Sequence, residues 1–392
     1  MNATLSESIF FSLFLIFTGA AILATVALFA RQALPVAYIA LGVLIGPYGV
    51  GVLTDPDLIR QMSEIGIIFL LFLLGLDLTP QELLHMLRKT TVITLSSALV
   101  FALMGFAVAY GFGFAWAECL LVGGAMMFSS TIIGLKLLPT TALHHQHMGE
   151  IIIAVLLLQD LLAIALLLVI GGFGGEGFSW QSLGLLLVAL PALALFAFAF
   201  ERYVLIKLIR KFNKIREYIF LMAIGWCLGV AELATLLGLS HEIGAFIAGV
   251  ALATSPIAVY IAESLRPLRD FFLVLFFVSL GAGFDLGVVS QVLLPALILA
   301  TLMMLGKPWV FRWLLVWSGE SSKLGLEVGV RLGQVSEFSL LIAVLAWQSG
   351  LLSEAGSFLI QATTLLTFIA STYYVVLNYP TPVAVSDRLR RD

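Results

Sequence analysis

The stretch MGEIIIAVLLLQDLLAIALLLVIGG, residues 148–172, decides the fold, because it is an apolar run with Asp160 at its centre and Gln159 directly before that acid. A run of this length can cross the hydrocarbon layer of a bilayer as an α-helix. A carboxylate at the centre of such a helix costs roughly 2.5 to 3.5 kcal/mol on insertion scales, so an acid at that depth generally has a function. Asp160 is therefore the first candidate functional residue.

The composition of the whole chain is that of a membrane protein. Of its 392 residues, 61% are hydrophobic and only 11% are charged, values that exclude a soluble globular domain. The apolar runs lack the strict alternation of barrel strands, so we predict an all-α polytopic membrane protein with thirteen transmembrane helices. The predicted spans are residues 9–30, 33–48, 58–78, 89–112, 116–138, 148–172, 181–205, 216–237, 240–255, 267–284, 287–316, 324–349 and 354–378.

These spans separate the basic residues between the two sides of the membrane. Sixteen Lys and Arg residues fall in loops on the side of the C-terminus and one falls on the other side. Cytoplasmic loops carry the excess of Lys and Arg, so we predict an outside N-terminus and a cytoplasmic C-terminus, in a bacterial inner membrane. The densest basic stretch, 202–216, lies in one loop between two spans, which indicates a topology signal and no nucleic-acid partner.

A weak internal repeat relates the two halves of the chain. At an offset of 208 residues, AYIA at 37–40 returns as AFIA at 245–248, and GLDL at 75–78 returns as GFDL at 283–286. The matched spans are seven helices apart, so the two copies must have opposite orientations. This pattern predicts a six-plus-six inverted repeat, an architecture of secondary transporters with a substrate site at the membrane midplane.

Two of the predicted spans are interrupted by polar residues at their centres. The fifth span contains Ser129, Ser130 and Thr131, and the twelfth contains GQVSE at 333–337, which ends at Glu337. We predict that both spans are discontinuous helices that cross each other. Hydroxyl groups, unwound carbonyls and half-helix ends are the groups that bind a small dehydrated cation in transporters.

Lys307 is the only lysine well inside the apolar layer. A buried lysine keeps its charge only with a partner, so Lys307 is predicted to compensate charge by pairing with Asp160 or Glu337. The alternative is that its side chain extends to the cytoplasmic interface and takes no part in the site.

Eight sequence motifs resemble those of the Kef-type branch of the monovalent cation:proton antiporter-2 family, potassium/proton antiporters. They extend over most of the chain. The motifs are ALGVLIGP at 40–47, EIG at 64–66, FLLGLD at 72–77, SST at 129–131, LQD at 158–160, GAFIAG at 244–249, LFFVSLG at 275–281 and GQVSEF at 333–338.

This resemblance implies a homodimer in which a six-helix core moves against a scaffold. Residues 1–380 would form the transport domain, with spans 1–3 and 8–10 as scaffold and spans 4–6 and 11–13 as core, followed by a short basic tail at 381–392. It also implies a cytoplasmic nucleotide-binding regulatory domain or subunit that this chain does not include. Asp160 matches the ion-carrying acid of that family, Lys307 its lysine, and Gln334 and Glu337 its glutamine and glutamate. The complete set of predicted ion- and proton-binding residues is Asp160, Gln159, Ser129, Ser130, Thr131, Gln334, Ser336 and Glu337.

The predicted function is exchange of a monovalent cation, K+ rather than Na+, for H+ by alternating access. Asp160 would bind the cation and the proton in turn, and the exchange would be electroneutral because Gln159 carries no charge. The alternatives are a Na+/H+ antiporter, a cation-coupled solute symporter and a gated cation channel of the same architecture. The sequence contains no Gly-rich phosphate loop, catalytic triad or metal-ligand cluster, so we predict a transporter without enzyme activity or cofactor.

Overall fold

The computed structural model describes residues 9–52, 56–77, 80–136, 147–173, 180–212, 215–255 and 257–381, and nearly all regular structure in these ranges is α-helical. The predicted basic tail lies outside the described residues except for Thr381. The helices are α1 Ile9–Phe29, α2 Leu34–Ile45, α3 Pro56–Asp77, α4 Pro80–Gly111, α5 Trp116–Met126, α6 Thr131–Lys136, α7 His147–Phe173, α8 Trp180–Phe200, α9 Ile206–Lys211, α10 Arg216–Leu236, α11 His241–Ala253, α12 Ala258–Ala282, α13 Leu286–Trp317, α14 Ser322–Arg331, α15 Glu337–Gln348 and α16 Glu354–Asn378; a π-helical turn, Glu201–Leu205, joins α8 to α9.

Six segments of the described helices are long and apolar enough to cross a membrane. They are Ile9–Phe29, Thr90–Gly111, His147–Leu167, Arg216–Leu236, Ser290–Trp317 and Glu354–Asn378. The all-helical membrane fold is therefore confirmed, while the count of thirteen spans stays a prediction. Two of the predicted spans, 116–138 and 324–349, are each divided into two short helices, which leaves no uninterrupted helix of spanning length in either.

The chain forms two compact units. The first unit comprises residues 1–20, 38–85 and 171–283, and the second comprises residues 21–37, 86–170 and 284–392. Every candidate site residue belongs to the second unit.

Glycines allow two very close helix crossings within the first unit. A Cβ atom added to Gly42 of α2 would lie 2.1 Å from a backbone oxygen of α12 and 2.8 Å from the Cα of Gly281. A Cβ atom added to Gly249 of α11 would likewise lie 2.1 Å from a backbone oxygen of α3 and 2.9 Å from the Cα of Gly75. Only residues without a side chain let two backbones approach this closely. The two glycine pairs therefore fix how α2 packs on α12 and how α11 packs on α3.

In the second unit, α14 lies against α13 along a glycine face. A Cβ atom on Gly329 would come within 2.6 Å of the Cα of Pro308, and one on Gly325 within 3.0 Å of the Cα of Arg312. Because Lys307 precedes Pro308, this close packing brings the lysine to the point where α14 ends. The α13 helix also packs on α16.

The second unit contains both interruptions that were predicted from the sequence. The first lies between α5, which ends at Met126, and α6, which begins at Thr131; the second lies between Arg331 and Glu337. Serine starts the helix that follows each interruption: the Ser130 hydroxyl accepts from the N–H of Ile133 (3.1 Å), and the Ser336 hydroxyl accepts from the N–H of Phe338 (3.1 Å). Such N-terminal serines satisfy backbone donors that have no partner within the helix.

The starts of the second half-helices match at an offset of 206 residues. Ser130 corresponds to Ser336, and Thr131 corresponds to Glu337, since each pair caps or begins the second half-helix. The offset of 208 found between the apolar motifs would instead pair Ser129 with Glu337, and the inverted repeat itself stays a prediction.

Candidate functional site

Asp160 lies in the middle of α7 and is only 2% exposed. The hydroxyl of Thr131 donates towards the carboxylate at 3.4 Å from Oδ1 and 3.3 Å from Oδ2, both long for an O–H···O bond. Within the described residues, no basic side chain lies within the 4.0 Å ion-pair distance of Asp160. A carboxylate with so few protein partners retains the capacity to accept a proton or a cation.

A second buried acid, Glu337, interacts electrostatically with Asp160, because the two carboxylates repel each other when both are ionised. Glu337 is the first residue of α15 and is 6% exposed. The N-terminus of a helix carries a partial positive charge that favours an acid at this position. The site therefore combines two buried carboxylates with the hydroxyl of Thr131.

Lys307 is completely buried and uses its ammonium group to join the two interruptions. Its Nζ donates to the carbonyl oxygen of Phe128 (2.7 Å), the carbonyl oxygen of Gln334 (3.0 Å) and the hydroxyl of Ser129 (3.2 Å). The two carbonyls occupy equivalent positions, 206 residues apart, each just beyond the C-terminal end of a half-helix. A lysine there donates to carbonyls that have no partner within a helix, and its positive charge balances the negative end of the helix dipole.

This placement does not bear out the predicted pairing of Lys307 with Asp160, while the pairing with Glu337 stays a prediction. It does exclude the alternative, in which the side chain extends to the cytoplasmic interface. Within the described residues no ion pair connects Lys307 to Asp160, because the three N–H bonds of the ammonium point to the interruptions. The side chain is 0% exposed, so it does not extend to an interface. The ring of Phe101 lies 5.2 Å from Nζ and adds an aromatic contact.

In each interruption one backbone N–H has no partner within a helix, and it donates instead to a neighbouring side chain. The N–H of Ser129 donates to Oε1 of Gln159 (2.9 Å), and the N–H of Val335 donates to the hydroxyl of Thr367 (3.1 Å). Buried backbone donors almost always need such a partner, most of all in a membrane. Gln159 therefore holds the backbone of the first interruption through one side-chain hydrogen bond, and Thr367 holds the backbone of the second in the same way.

Direct hydrogen bonds also connect the two interruptions. The hydroxyl of Ser129 donates to the carbonyl of Leu332 (2.9 Å), and Nε2 of Gln334 donates to the carbonyl of Ser130 (3.3 Å). The hydroxyl of Ser371, from α16, donates to Oε1 of Gln334 (2.9 Å). The structure thus brings all the predicted site residues together, but Ser129, Ser130, Gln334 and Ser336 hold the backbone in place, while Thr131 is the residue that contacts Asp160.

The residues that sequence reasoning missed lie on α16. Its buried polar side chains recur three or four residues apart, the spacing of one helix face. That spacing was the available signal, although a single Ser or Thr in a membrane helix is more commonly bonded to its own backbone. The residues of this face are Ser357, Gln361, Thr364, Thr367 and Ser371.

Comparison with known proteins gives a family and a fold. The family model described as "Sodium/hydrogen exchanger, transmembrane" matches residues 10–377. Among solved structures, the sodium proton antiporter MjNhaP1 from Methanocaldococcus jannaschii at pH 8 matches with a TM-score of 0.68 at 20% identity, over 92% of this chain and 94% of that one. The electron-microscopy structure of the same antiporter matches with a TM-score of 0.66 at 16% identity, over 93% and 94% of the two chains.

The predicted resemblance to the Kef-type branch was wrong, because the family match is to the sodium/hydrogen exchanger model. Several of the motifs that carried the resemblance have a structural use that is not specific to a branch. Gly75 and Gly249, in two of those motifs, make a helix crossing possible, and Ser130 and Ser336 begin half-helices. Motifs that the fold itself requires identify the fold and do not distinguish one cation from another.

Proposed function

We propose, from the premise that this chain belongs to the sodium/hydrogen exchanger family, that it exchanges Na+ for H+ across a lipid bilayer. The observation that carries the proposal is the position of Asp160: it is buried, it has no basic partner among the described residues, and it lies beside a hydroxyl and a second acid. Na+ replaces K+ as the expected ion, in accordance with the family.

The chemistry of the exchange follows from competition for one carboxylate. A hard cation such as Na+ takes oxygen ligands, and Asp160 and Thr131 offer them side by side, while the negative charge of Glu337 also acts on this position. A proton on Asp160 removes the negative charge that binds the cation, so the acid carries either Na+ or H+ on each passage. The exposure of the loaded acid to one side and then to the other couples the two fluxes.

We also propose the larger architecture in which this chemistry operates. The chain would have thirteen spans in a six-plus-six inverted repeat, with an outside N-terminus and a cytoplasmic C-terminus in a bacterial inner membrane. The matching interruptions and glycine crossings support the repeat, since Ser130 corresponds to Ser336 and Gly75 to Gly281 at the same offset of 206. The second unit would be the mobile core and the first unit the scaffold of a homodimer. A nucleotide-binding regulatory partner is not supported by the family match and is not proposed.

Proton release from proteoliposomes tests the proposal. Vesicles loaded with a pH-sensitive dye should respond to added Na+ or Li+, and K+ should give a much smaller response. Asp160→Asn should abolish the response while the protein remains folded and in the same oligomeric state. A larger response to K+ than to Na+ would overturn the choice of ion, and exchange that persists in Asp160→Asn would remove Asp160 from its role.

A matched control is available in α16. The hydroxyl of Thr363 is buried without a hydrogen-bond partner among the described residues, so Thr363→Val should leave exchange intact. The same assay separates the rival functions. A gated channel would carry Na+ without moving protons, and a solute symporter would need an organic substrate before Na+ produced any response.

A further inference from the structure

An apolar groove of about 400 Å³ lies between α8 and α10, within the first unit. The ring of Phe200 stacks on Trp226, with centroids 5.4 Å apart and planes 7° apart, and the indole N–H of Trp226 donates to the carbonyl of Ala248 (3.0 Å). The hydrogen bond to Ala248 therefore fixes the Trp226 ring, and the Trp226 ring in turn supports Phe200. The lining includes Phe196, Phe200, Leu205, Leu221, Trp226 and Leu233.

The floor of the groove is open because two glycines stand where side chains would otherwise fill it. Gly225 and Gly229 lie one turn apart on α10, and a Cβ atom added to either would meet no atom within 4 Å outside its own helix. The glycines at the helix crossings described above behave in the opposite way, since their missing side chains are replaced by a neighbouring backbone. At Gly225 and Gly229 no described residue fills the space.

The length of the groove suits one hydrocarbon chain. Leu221 and Leu233 line it and are twelve residues apart on α10, which corresponds to about 18 Å along a helix. One leaflet contributes about half of a hydrocarbon layer that is about 30 Å thick. The groove is therefore about as long as one leaflet is deep.

The segment that joins α8 to α10, at the end of the groove near Leu205 and Leu221, is strongly basic. Five exposed basic side chains lie in the described residues that follow α8 and begin α10, against two acids, the buried Glu201 and the exposed Glu217. Arg and Lys side chains are the common partners of phosphate groups. The five basic residues are Arg202, Lys207, Arg210, Lys211 and Arg216.

We propose that this groove binds one anionic phospholipid, with an acyl chain over Gly225 and Gly229 and the phosphate at the basic end. The apolar wall, the open floor and the charge at one end together match the two parts of such a lipid. A second copy of the chain fits less well. In a dimer with its two-fold axis along the membrane normal, the basic ends of both copies would lie at the same depth and repel each other.

Native mass spectrometry of the purified full-length protein tests this inference, which does not depend on the transported ion. With phosphatidylglycerol and phosphatidylcholine supplied in equal amounts, the wild type should retain one phosphatidylglycerol per chain, and the same lipid should raise its melting temperature. Equal retention of both lipids would overturn the proposal. So would an equal stabilisation by inorganic phosphate alone, which would indicate a site for the free ion.

Two variants examine the two halves of the site. Gly229→Leu places a side chain on the floor, where an added Cβ atom meets nothing within 4 Å, and the double variant Arg210→Gln/Lys211→Gln removes charge from an exposed segment. Each should weaken phosphatidylglycerol retention by about tenfold or more. Lys323→Gln, an exposed lysine of the second unit, is the control and should change nothing. Undiminished retention in both variants would refute the site, and dissociation of a dimer by Gly229→Leu without loss of lipid would assign the groove to a second copy.

Discussion

At the scale of single residues, the site separates its two opposite charges. Lys307 bonds to backbone carbonyls beyond the C-terminal ends of α5 and α14, whereas Asp160 faces Thr131 at the start of α6. The lysine therefore stabilises the crossing of the two interruptions and leaves the acid without a basic partner among the described residues. The binding of Na+ then needs no internal ion pair to break.

Lys307→Met tests this division of roles. Removal of the ammonium leaves the carbonyls of Phe128 and Gln334 buried without their donor, and each unsatisfied group should cost about 1 to 3 kcal/mol. We expect a clearly lower melting temperature in detergent, together with Na+ binding that survives at temperatures where the variant is folded. Lys323→Gln provides the control for loss of a lysine. A variant as stable as the wild type that has lost Na+ binding would show that Lys307 acts through Asp160 instead.

At the scale of elements, each interruption depends on a helix from elsewhere in the chain. Gln159 of α7 satisfies the N–H of Ser129, and Thr367 of α16 satisfies the N–H of Val335. Since these two donors occupy equivalent positions, α7 and α16 serve the same purpose for the two half-helix pairs. Only α7 adds an acid, Asp160, in the next position along the chain.

Thr367→Val should therefore destabilise the second interruption. The change preserves shape but leaves the N–H of Val335 buried and unpaired, at a cost of about 1 to 3 kcal/mol. Thr363→Val, on the same helix, removes a hydroxyl that has no partner among the described residues and should be neutral or slightly stabilising. Thermal unfolding of the two variants makes the comparison. Equal melting temperatures would mean that Thr367 contributes nothing to the interruption.

The glycine crossings of the first unit allow a similar paired test. Gly249→Ala places a Cβ atom 2.1 Å from the carbonyl oxygen of Phe72, so α11 and α3 must separate. Overpacking of this kind costs about 1 to 3 kcal/mol. Gly225→Ala, where the added atom meets nothing within 4 Å, is the matched control. If the two alanines reduce the melting temperature equally, the close approach of α11 and α3 is not what requires glycine.

Which elements could be predicted from the sequence depended on the physical signal that each one carries. Apolar length indicated membrane helices, and the polar residues around Ser129 and Glu337 located both interruptions because such groups are rare in apolar spans. The hydrogen-bond partners that side chains find on other helices could not be predicted from the sequence. The spacing of polar residues along α16 indicates a polar face that includes Ser371, but it does not show that Ser371 contacts Gln334, and Lys307 gave no indication that it would bind carbonyls.

At the scale of the whole molecule, the number of charges that cross the membrane follows from which acids exchange their protons. Among the described residues of the second unit, the buried acids are Asp160 and Glu337, and the buried basic residues are Lys307 and Arg331. If Asp160 alone alternates between Na+ and H+ while Glu337, Lys307 and Arg331 keep their charges, one positive charge leaves for each one that enters. No net charge then crosses the membrane, so an imposed potential neither drives nor opposes the exchange.

Exchange measured in proteoliposomes with an imposed potassium diffusion potential should therefore be independent of voltage. Movement of one net charge would couple the cycle to about 2.3 kcal/mol per 100 mV, which would change the rate or the final pH gradient visibly. Glu337→Gln distinguishes the acids: if only Asp160 cycles, this variant stays insensitive to voltage even if it binds Na+ less tightly. A voltage response in the wild type that disappears in Glu337→Gln would mean that Glu337 carries a second proton and that the exchange moves net charge.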